Sequence, residues 1–522
     1  MTERDDTRPG TPATGSTPVP AKPRSAWPAL WAMVIGFFMI LVDTTIVSVA
    51  NPAIKAALDP YTNNLDNVVW VTSAYLLAYA VPLLITGRLG DRFGPRTIYL
   101  IGLAVFTLAS LGCGLSTTLE SLVAMRAVQG LGAAMMTPQT MSVITRTFPP
   151  NQRGAAMGLW GATSGVAMLV GPLAGGLLVD GLGWEWIFFI NLPVGVIGFV
   201  LAWILVPRLE THPHRFDLFG VVLSSVALFL IVFGLQEGEK YDWGTISGPI
   251  SVWSLIIAGL VVLGLFGWQQ AKTRSEALVP FELFKDRNFS LANLGIATVG
   301  FTATSMSLPL MFFIQLARGL TPTESALLMV PMAVAAGVLS PFAGRLLDRV
   351  DPRWLLVPGL LLMALGLVWY ALLMNADTPI WLFLLPSFVI GVANAGMWGP
   401  LATTATRNLE PRQAGAGSGI YNTTRTIGSV LGSAAIAAFM QGRLETELAN
   451  AGFGGSGAGP STDFSADQLP DMLVNPFSAA MAQAMLLPAA VMMLGVIAVL
   501  FLRGRPSGAA GEASGGKDRR AA

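Results

Sequence analysis

An aspartate within an apolar stretch that is long enough to cross a bilayer offers the first candidate chemistry. Asp43 follows the uncharged segment 27–40. An ionisable side chain at this depth costs about 2.5–3.5 kcal/mol or more, so we expect it to serve a function. Arg126 lies in another apolar stretch, which runs in the opposite direction. At about 1.5 Å per residue, both side chains lie roughly 12 Å below the same membrane face and can meet sideways.

Such a pair can couple transport to protons. A carboxyl group that is balanced between burial and a neighbouring cation can load and release a proton as its exposure to water changes sides. Arg126 itself stays protonated, so its role would be to tune and release Asp43. The alternative is a static ion pair that locks two helices together.

Polar residues recur at helical spacing in two stretches. One stripe contains Arg126, Gln129, Ala133 and Thr137, and the other contains Asn422, Arg425, Ser429 and Ser433. Together with nearby aromatic side chains they suggest a cargo cavity, with ordinary packing as the alternative for each residue. The candidates for that cavity are Tyr75, Tyr79, Gln129, Asn394, Trp398, Tyr421, Asn422 and Arg425.

The composition is that of a membrane protein. Of 522 residues, 53% are hydrophobic and only 12% are charged, whereas soluble domains have about 25% charged residues. The net charge of +1 gives no indication of nucleic-acid binding. The single cysteine, Cys113, excludes an internal disulfide and is expected to pack in the interior. His212 and His214 share one polar connection and are interpreted as a solvated pair, so we predict no metal site and no cofactor.

Apolar runs of about 20 residues predict an all-α integral membrane protein with fourteen spans. The predicted spans are 27–50, 68–87, 97–116, 119–143, 154–179, 186–206, 217–236, 249–269, 289–315, 323–345, 354–374, 380–403, 414–440 and 477–503. With both termini in the cytoplasm, lysine and arginine collect on the inner side, as the positive-inside rule requires. We therefore predict a multi-pass protein of the cytoplasmic membrane. Disordered tails are predicted at 1–25 and 504–522, and a flexible outer loop at about 441–475.

Two motifs occur twice. Gly87–Arg96 recurs as Gly344–Arg353 with seven of ten positions identical, and 150–158 resembles 411–419. Both copies of each motif face the same side, so the halves are predicted to be parallel repeats, a transporter arrangement with cargo held between them. Spans 1–6 (26–207) would pair with spans 9–14 (288–503). Spans 7 and 8 would be an inserted hairpin within 208–287, with Asp217 as a helix-start residue.

These motifs resemble the major facilitator superfamily, and specifically its fourteen-span drug:proton antiporters, over about 26–503. Segment 126–134 fits the arginine motif of span 4, and 165–176 fits the span-5 motif associated with antiporters. Segment 41–52 resembles the span-1 motif, with Ser48 and Asn51 at positions where other residues are more usual, and Glu185 stands where arginine is common.

The resemblance implies a cytoplasmic gate. Asp91 would face the positive N-terminus of span 13, and Asp348 would face that of span 5. The gate candidates are Gly87, Asp91, Arg92, Gly94, Arg96, Asp348 and Arg349. In span 5, a leak-tight seam is expected at Gly165, Gly171, Pro172, Gly175 and Gly176.

The expected function is proton-coupled export of amphipathic or hydrophobic small molecules, such as drugs, dyes and antibiotics, by a monomer that uses alternating access. One alternative is an exporter dedicated to a single metabolite, antibiotic or lipid, and another is a membrane sensor without transport. A membrane enzyme is disfavoured because both histidines share one connection without a catalytic partner. ATP-driven transport is disfavoured because the sequence has no phosphate-binding Gly-x-x-x-x-Gly-Lys-Ser/Thr loop.

Overall fold

The protein is an assembly of long helices. The computed structural model describes residues 26–58, 66–211, 217–238, 241, 243–272, 277–410, 413–453 and 469–503. The predicted tails and the histidine pair His212/His214 lie outside these residues. The description below refers to an N-terminal group of helices, α1–α8, and a C-terminal group, α11–α20.

Most predicted spans correspond to one helix or to two consecutive helices. The helices of the N-terminal group are α1 (Trp27–Leu58), α2 (Asp66–Ala80), α3 (Leu83–Phe93), α4 (Pro95–Gly114), α5 (Leu119–Thr147), α6 (Arg153–Leu182), α7 (Trp186–Phe189) and α8 (Asn191–Leu205). The hairpin contains α9 (Leu218–Gln236), β1 (Thr245–Ser247), β2 (Ile250–Ser251) and α10 (Val252–Lys272).

The C-terminal group follows the hairpin. Its helices are α11 (Glu282–Lys285), α12 (Arg287–Ser305), α13 (Ser307–Phe312), a π-helical turn (Phe313–Ala317), α14 (Pro322–Leu328), α15 (Val330–Leu347), α16 (Arg353–Leu373), a 3-10 turn (Ile380–Phe383), α17 (Leu384–Thr406), α18 (Ala414–Leu448), a π-helical turn (Ala449–Phe453), α19 (Asp471–Ala484) and α20 (Leu486–Leu500).

Fewer helices meet the length and hydropathy criteria for a membrane span than the sequence predicts. Among the described residues, eleven helices are long and apolar enough to cross a membrane, or twelve if the pair α2–α3, which bends by 46°, forms one span. Helices α5 and α6 occupy predicted spans 4 and 5 but are not among these. Helix α5 buries polar side chains such as Arg126 and Gln129, which lower its hydropathy. The count of fourteen therefore stays a prediction.

One boundary differs clearly from the sequence prediction. The outer loop expected from residue 441 is helical at its start, because α18 continues to Leu448. Its i, i+4 pairs, such as Arg443 with Glu447 at 3.4 Å, favour helix over loop.

The two groups of helices pack directly against each other. Helix α6 of the N-terminal group packs along α15 and α17, and α18 of the C-terminal group packs along α3 and α5. The largest buried cluster crosses this boundary, and it includes Phe37 stacked on Trp160 with ring centroids 4.8 Å apart. The elements that carry the candidate site are therefore held by a shared apolar core.

The hairpin α9–α10 lies against the boundary between the two groups. Val232 of α9 is buried against Leu77 and Ala80 of α2, and Val430 of α18 packs on the same cluster. A two-stranded antiparallel sheet, β1–β2, joins the two hairpin helices.

Asp217 caps the first helix of the hairpin. Its Oδ1 accepts a hydrogen bond from the Gly220 amide at 2.8 Å, and its Oδ2 accepts bonds from the side chains of Gln269 and Gln270 at 2.9 and 2.7 Å. Partial burial raises the pKa of Asp217, but these three hydrogen bonds outweigh it and leave the pKa below its ordinary value. The carboxylate is thus an ionised anchor, which supports its interpretation as a helix-start residue.

Candidate functional site

The structure brings Asp43 of α1 and Arg126 of α5 together in the interior of the N-terminal group. Arg126 Nη1 lies 2.6 Å from Asp43 Oδ2, and neither side chain has any exposed surface. Charges that are buried to this degree are rare unless they are paired and hydrogen-bonded. The geometry places the two residues as the sequence spacing suggested.

Two amides complete the shell around the carboxylate. Gln129 Nε2 and Asn191 Nδ2 both donate to Asp43 Oδ1, at 2.9 and 3.1 Å. The same two amides donate to Ser110 Oγ, which in turn donates to the carbonyl oxygen of Phe188 at 3.0 Å. All three groups that hydrogen-bond to Asp43 are donors, so the proton of a neutral carboxyl would find no acceptor among them.

Arg126 has a second set of partners that does not depend on Asp43. Its Nε donates to the Val71 carbonyl at 3.0 Å, and its Nη1 donates to Gln129 Oε1 at 2.7 Å. Its guanidinium carbon lies 4.2 Å from the ring centroid of Tyr75, a cation–π contact. The position of the arginine therefore does not depend on Asp43 alone.

Three members of this cluster were not assigned to it from the sequence. Asn191 and Ser110 were not singled out, and Gln129, which was expected to line the cargo cavity, instead belongs to the Asp43 site. The position of Gln129 one turn after Arg126 was the available signal. Cys113 also contacts this cluster, with Sγ 3.7 Å from Gln129 Oε1, and it is fully buried as expected.

A chain of aromatic contacts leads from this cluster to the C-terminal group. The rings of Tyr75 and Tyr79 are parallel, with centroids 6.2 Å apart. Tyr79 Oη accepts a hydrogen bond from Arg425 Nη2 at 3.0 Å and donates to Thr137 Oγ1 at 3.3 Å. The candidate residues Tyr75, Tyr79 and Arg425 thus lie in one line between α5 and α18.

The remaining cavity candidates divide into two sets. Asn394 and Trp398, joined by a 3.0 Å hydrogen bond, line a small cavity between α6 and the C-terminal group, together with Ser164 and several apolar residues. Tyr421 and Asn422 are fully buried instead, and Asn422 donates to the Ser418 carbonyl at 2.9 Å. In this arrangement both side chains of the latter pair are shielded from solvent.

At one end of the bundle, Asp91 joins the two groups of helices. Its two carboxylate oxygens accept hydrogen bonds from the amides of Gly415 and Ala416, both at 3.0 Å, at the N-terminus of α18. Arg146 of α5 also forms an ion pair with Asp91. A carboxylate at a helix N-terminus is stabilised by the unpaired amides and by the helix dipole. Arg146 was not among the gate candidates expected from the sequence.

Asp348 makes the corresponding contact with the opposite group. Its Oδ1 and Oδ2 accept hydrogen bonds from the amides of Gly154 and Ala155, at 3.0 and 3.4 Å, at the N-terminus of α6. The backbones approach so closely here that a Cβ on Gly154 would lie 2.3 Å from the Gly344 carbonyl oxygen. Each group of helices therefore places one aspartate on a helix N-terminus of the other.

The other gate candidates have local roles. Gly94 ends α3 with a φ of +88°, which favours glycine, and a Cβ on Gly87 would lie 2.4 Å from the Gly415 carbonyl oxygen. Arg96 lies over the Trp203 ring, with its guanidinium carbon 5.3 Å from the ring centroid. Arg92 lies over the adjacent Phe93 ring, and Arg349 is exposed.

The glycines of α6 lie on two sides of that helix. A Cβ on Gly165 would lie 3.0 Å from Ala336 of α15, and one on Gly171 would lie 1.8 Å from Thr45 Oγ1 of α1. A Cβ on Gly176 would meet nothing within 4 Å, and Pro172 and Gly175 lie in the same helix. Close approach is thus required toward both groups.

No cluster of metal-binding side chains occurs among the described residues. Glu185 precedes α7 and lies beside Gly183, which has a φ of +105°. Ser48 and Asn51 lie in the second half of α1, away from the end of the bundle at which Asp91 lies.

Comparisons with known proteins agree on the family. The family model described as Major Facilitator Superfamily matches residues 33–433. An uncharacterized MFS-type transporter of Mycobacterium tuberculosis is 53% identical over 482 residues, which cover 92% of this chain and 81% of the relative. The tetracenomycin C resistance and export protein of Streptomyces glaucescens is 33% identical over 421 residues, covering 80% and 76%.

A solved structure shows the same fold. The proton:xylose symporter XylE matches with a TM-score of 0.60 at 14% identity, covering 92% of this chain and 96% of the symporter chain. At this identity the likeness concerns the fold alone. The family model spans most of the sequence and the relatives are similar over most of their own length, so the chain belongs to the major facilitator superfamily and is a multi-pass membrane transporter.

Proposed function

We propose that this transporter is a proton-coupled antiporter that exports amphipathic or hydrophobic small molecules across the cytoplasmic membrane, with both termini in the cytoplasm. The observation that carries the proposal is the fully buried Asp43–Arg126 pair with its shell of amide donors. Burying an ionisable pair inside a transmembrane bundle costs free energy, so its presence indicates a function.

The proposed cycle exchanges one proton for the cargo. When the site opens to the outer side, a proton from water binds the Asp43 carboxylate and releases it from Arg126. The proton leaves to the cytoplasm after the bundle opens inward, and Asp43 then pairs with Arg126 again. Arg126 keeps its own proton throughout. Its bonds to Val71 and Gln129 hold it in position during the step in which Asp43 is neutral.

Asp91 and Asp348 supply the proposed gate for alternating access. Their hydrogen bonds to the N-termini of α18 and α6 connect the two groups of helices at one end of the bundle. We assign that end to the cytoplasmic side, because the basic loops collect there. Breaking these contacts would open the bundle inward, so the structure corresponds to a state that is closed toward the cytoplasm.

A second candidate is an exporter dedicated to one compound. The name of the tetracenomycin C relative favours it, because that protein confers resistance to, and exports, a single named antibiotic. Transport of several structurally unrelated dyes would support the broad exporter, and transport of one compound would support the dedicated one.

Proton movement driven by cargo tests the proposal directly. The purified protein is placed in liposomes with a pH-sensitive dye inside, and an outward gradient of a transported dye is imposed. An antiporter moves protons against the direction of the dye, and liposomes without protein provide the control. Dye flux without any proton movement would contradict proton antiport, and absence of flux for every compound in a broad panel would contradict export.

A further inference from the structure

Arg425 is a cation deep in α18 whose charge is not balanced by any described acid. Its side chain is half-buried, and within the described part of the chain its Nη2 donates a hydrogen bond to the neutral hydroxyl of Tyr79 at 3.0 Å. Its Nε is buried, and it makes no hydrogen bond to any part of the chain that the structure describes. A tyrosine hydroxyl accepts a hydrogen bond but does not neutralise a guanidinium charge.

The position of Arg425 connects it to the proposed proton site. The parallel rings of Tyr75 and Tyr79 lie between Arg425 and Arg126, with Arg126 on the face of Tyr75 and Arg425 bonded to Tyr79 Oη. Tyr75 and Tyr79 are one helical turn apart, which is about 6 Å along the helix. The two arginines are therefore connected through one pair of parallel tyrosine rings, and they come from different groups of helices.

The charge balance of this region is positive. Asp43 and Arg126 neutralise each other, which leaves the charge of Arg425. When Asp43 takes up a proton, the described charges of this region amount to two arginines and no anion. A cation at this depth costs about 2.5–3.5 kcal/mol or more unless something compensates it. An anion that is present only during part of the cycle would supply this compensation.

We propose that Arg425 binds an acidic group of the cargo, so that the preferred exported molecules are amphipathic anions such as aromatic sulfonates and carboxylates. This inference rests on the proposed function and specifies its substrate class. The planar guanidinium can bind two oxygens of a carboxylate or sulfonate at once. Tyr79 is buried in this structure, and once the two groups of helices separate, its ring would face the apolar part of such a molecule.

Alternating access provides a way to expose this site. Tyr79 belongs to α2 and Arg425 to α18, so a separation of the two groups of helices breaks their hydrogen bond and frees Nη2. The cargo anion then replaces the hydroxyl as the partner of Arg425. Closing the bundle restores the bond to Tyr79 and favours release of the cargo.

This assignment has an electrical consequence. Export of a monoanion in exchange for one proton moves two positive charges inward per cycle. Exchange of a neutral molecule moves one, and exchange of a monocation moves none. A membrane potential that is negative inside the cell therefore drives anion export more strongly than neutral export, by about 2.3 kcal/mol per charge per 100 mV.

Two dyes that differ mainly by an acidic group test the proposal. The probes are 8-anilinonaphthalene-1-sulfonate, which is anionic, and N-phenyl-1-naphthylamine, which has the same aromatic system without the sulfonate. Uptake of each dye is measured in inverted vesicles with an imposed pH gradient, and vesicles that contain Asp43→Asn give the background. We expect the wild type to take up the sulfonate faster, and an inside-positive potential to accelerate the sulfonate more than the neutral dye.

Variants at Arg425 and Arg443 assign the effect to a residue. Arg425→Gln is expected to lower the ratio of sulfonate to neutral uptake at least tenfold. Arg425→Lys, which keeps the charge but not the planar guanidinium, is expected to restore part of it. Arg443→Gln, which removes a partly exposed arginine of α18 that pairs with Glu447, should leave the ratio within about twofold of the wild type. A ratio that is unchanged in Arg425→Gln, or that falls equally in Arg443→Gln, would overturn the role of Arg425.

The outcomes for the wild type separate this inference from the proposed function. Coupled uptake of the neutral dye but not of the sulfonate would overturn the anion preference and leave proton-coupled export intact. Absence of coupled uptake for both dyes and for the cation ethidium would count against the proposed function itself. If Arg425→Gln does not fold, the proposal is tested by the uptake ratio of Arg425→Lys and by the effect of membrane potential on the wild type. Equal acceleration of both dyes by an inside-positive potential would overturn the proposal.

Discussion

Asp43 Oδ2 and Arg126 Nη1 lie 2.6 Å apart, and both side chains are completely shielded from solvent. Each charge therefore depends on the other, because neither can be solvated by water when its partner is removed. The pair is a structural element as well as the proposed proton site, and the two roles can be separated by experiment.

Removing one member of this pair should destabilise the protein more than removing both. Arg126→Met leaves the Asp43 carboxylate buried without its cation, which typically costs about 3–5 kcal/mol. The double variant Asp43→Asn/Arg126→Met should recover most of that free energy of unfolding. The measurement is chemical unfolding in detergent. The control is Arg443→Met, which removes the partly exposed ion pair with Glu447 at 3.4 Å. For this control a loss of about 0–1 kcal/mol is expected. Equal costs for Arg126→Met and Arg443→Met would contradict the buried-pair account.

Asn191 should act through Asp43. Asn191→Leu removes the 3.1 Å hydrogen bond to Asp43 Oδ1 and the 3.0 Å bond to Ser110. A hydrogen bond to a charged group contributes about 1.5–3 kcal/mol, so we expect a loss of stability of that order. In the Asp43→Asn background the loss should be smaller, with a coupling energy of about 0.5–3 kcal/mol in a double-mutant cycle. Strictly additive losses would show that Asn191 only packs.

Some of this site could be predicted from the sequence and some could not. Asp43 and Arg126 were predictable because a charge is conspicuous in an apolar run, and helix geometry places both at one depth. Asn191 and Ser110 were not, because their role depends on how α8 and α4 pack, which no local pattern encodes. The contacts of Asp91 with α18 and of Asp348 with α6 were expected from the family resemblance, whereas the Asp91–Arg146 pair depends on the position of α5.

The fold, too, could be predicted from the sequence only in part. Most apolar runs predicted helices at the observed positions, because bilayer thickness determines how long such runs must be. The bend between α2 and α3 and the extension of α18 to Leu448 were not predicted. The bend lies at Pro82, which lacks the backbone N–H that would continue α2, and the extension of α18 contains polar residues such as Gln441 and Glu445. Hydropathy therefore predicts neither feature.

Asp91 should hold the bundle closed at the cytoplasmic end. Asp91→Asn removes the charge that faces the α18 amides and Arg146. Such contacts contribute up to about 2 kcal/mol when partly buried. A loss of this size would lower the ratio of closed to open states more than tenfold. The measurement is labelling of single cysteines from each side of the membrane, in a protein without Cys113. Labelling from the cytoplasmic side should be greater in Asp91→Asn than in the protein with Asp91. Asp377→Asn, at an exposed aspartate, is the control, and equal labelling in both variants would exclude the gate.

Asp217 should contribute to stability and not to coupling. Its hydrogen bonds keep its folded-state pKa below the ordinary value of 3.8. Its stabilising contribution is therefore present above about pH 3.8 and is lost as the pH falls through the lower folded-state pKa. We expect Asp217→Asn to melt at a lower temperature than the wild type at pH 7, with the difference shrinking in acid. A difference that grows on acidification would contradict the direction of the pKa shift.

Transport by Asp43→Asn, compared with Asp217→Asn, tests the central claim most directly. Both changes replace one carboxylate by an amide, but only Asp43 is paired with Arg126 in the interior. The measurement is uptake of a transported dye into inverted vesicles driven by a pH gradient, with equal amounts of folded protein confirmed for each variant. The account predicts that Asp43→Asn loses gradient-driven uptake and that Asp217→Asn keeps most of it. Gradient-driven uptake at the wild-type rate in Asp43→Asn would contradict the account.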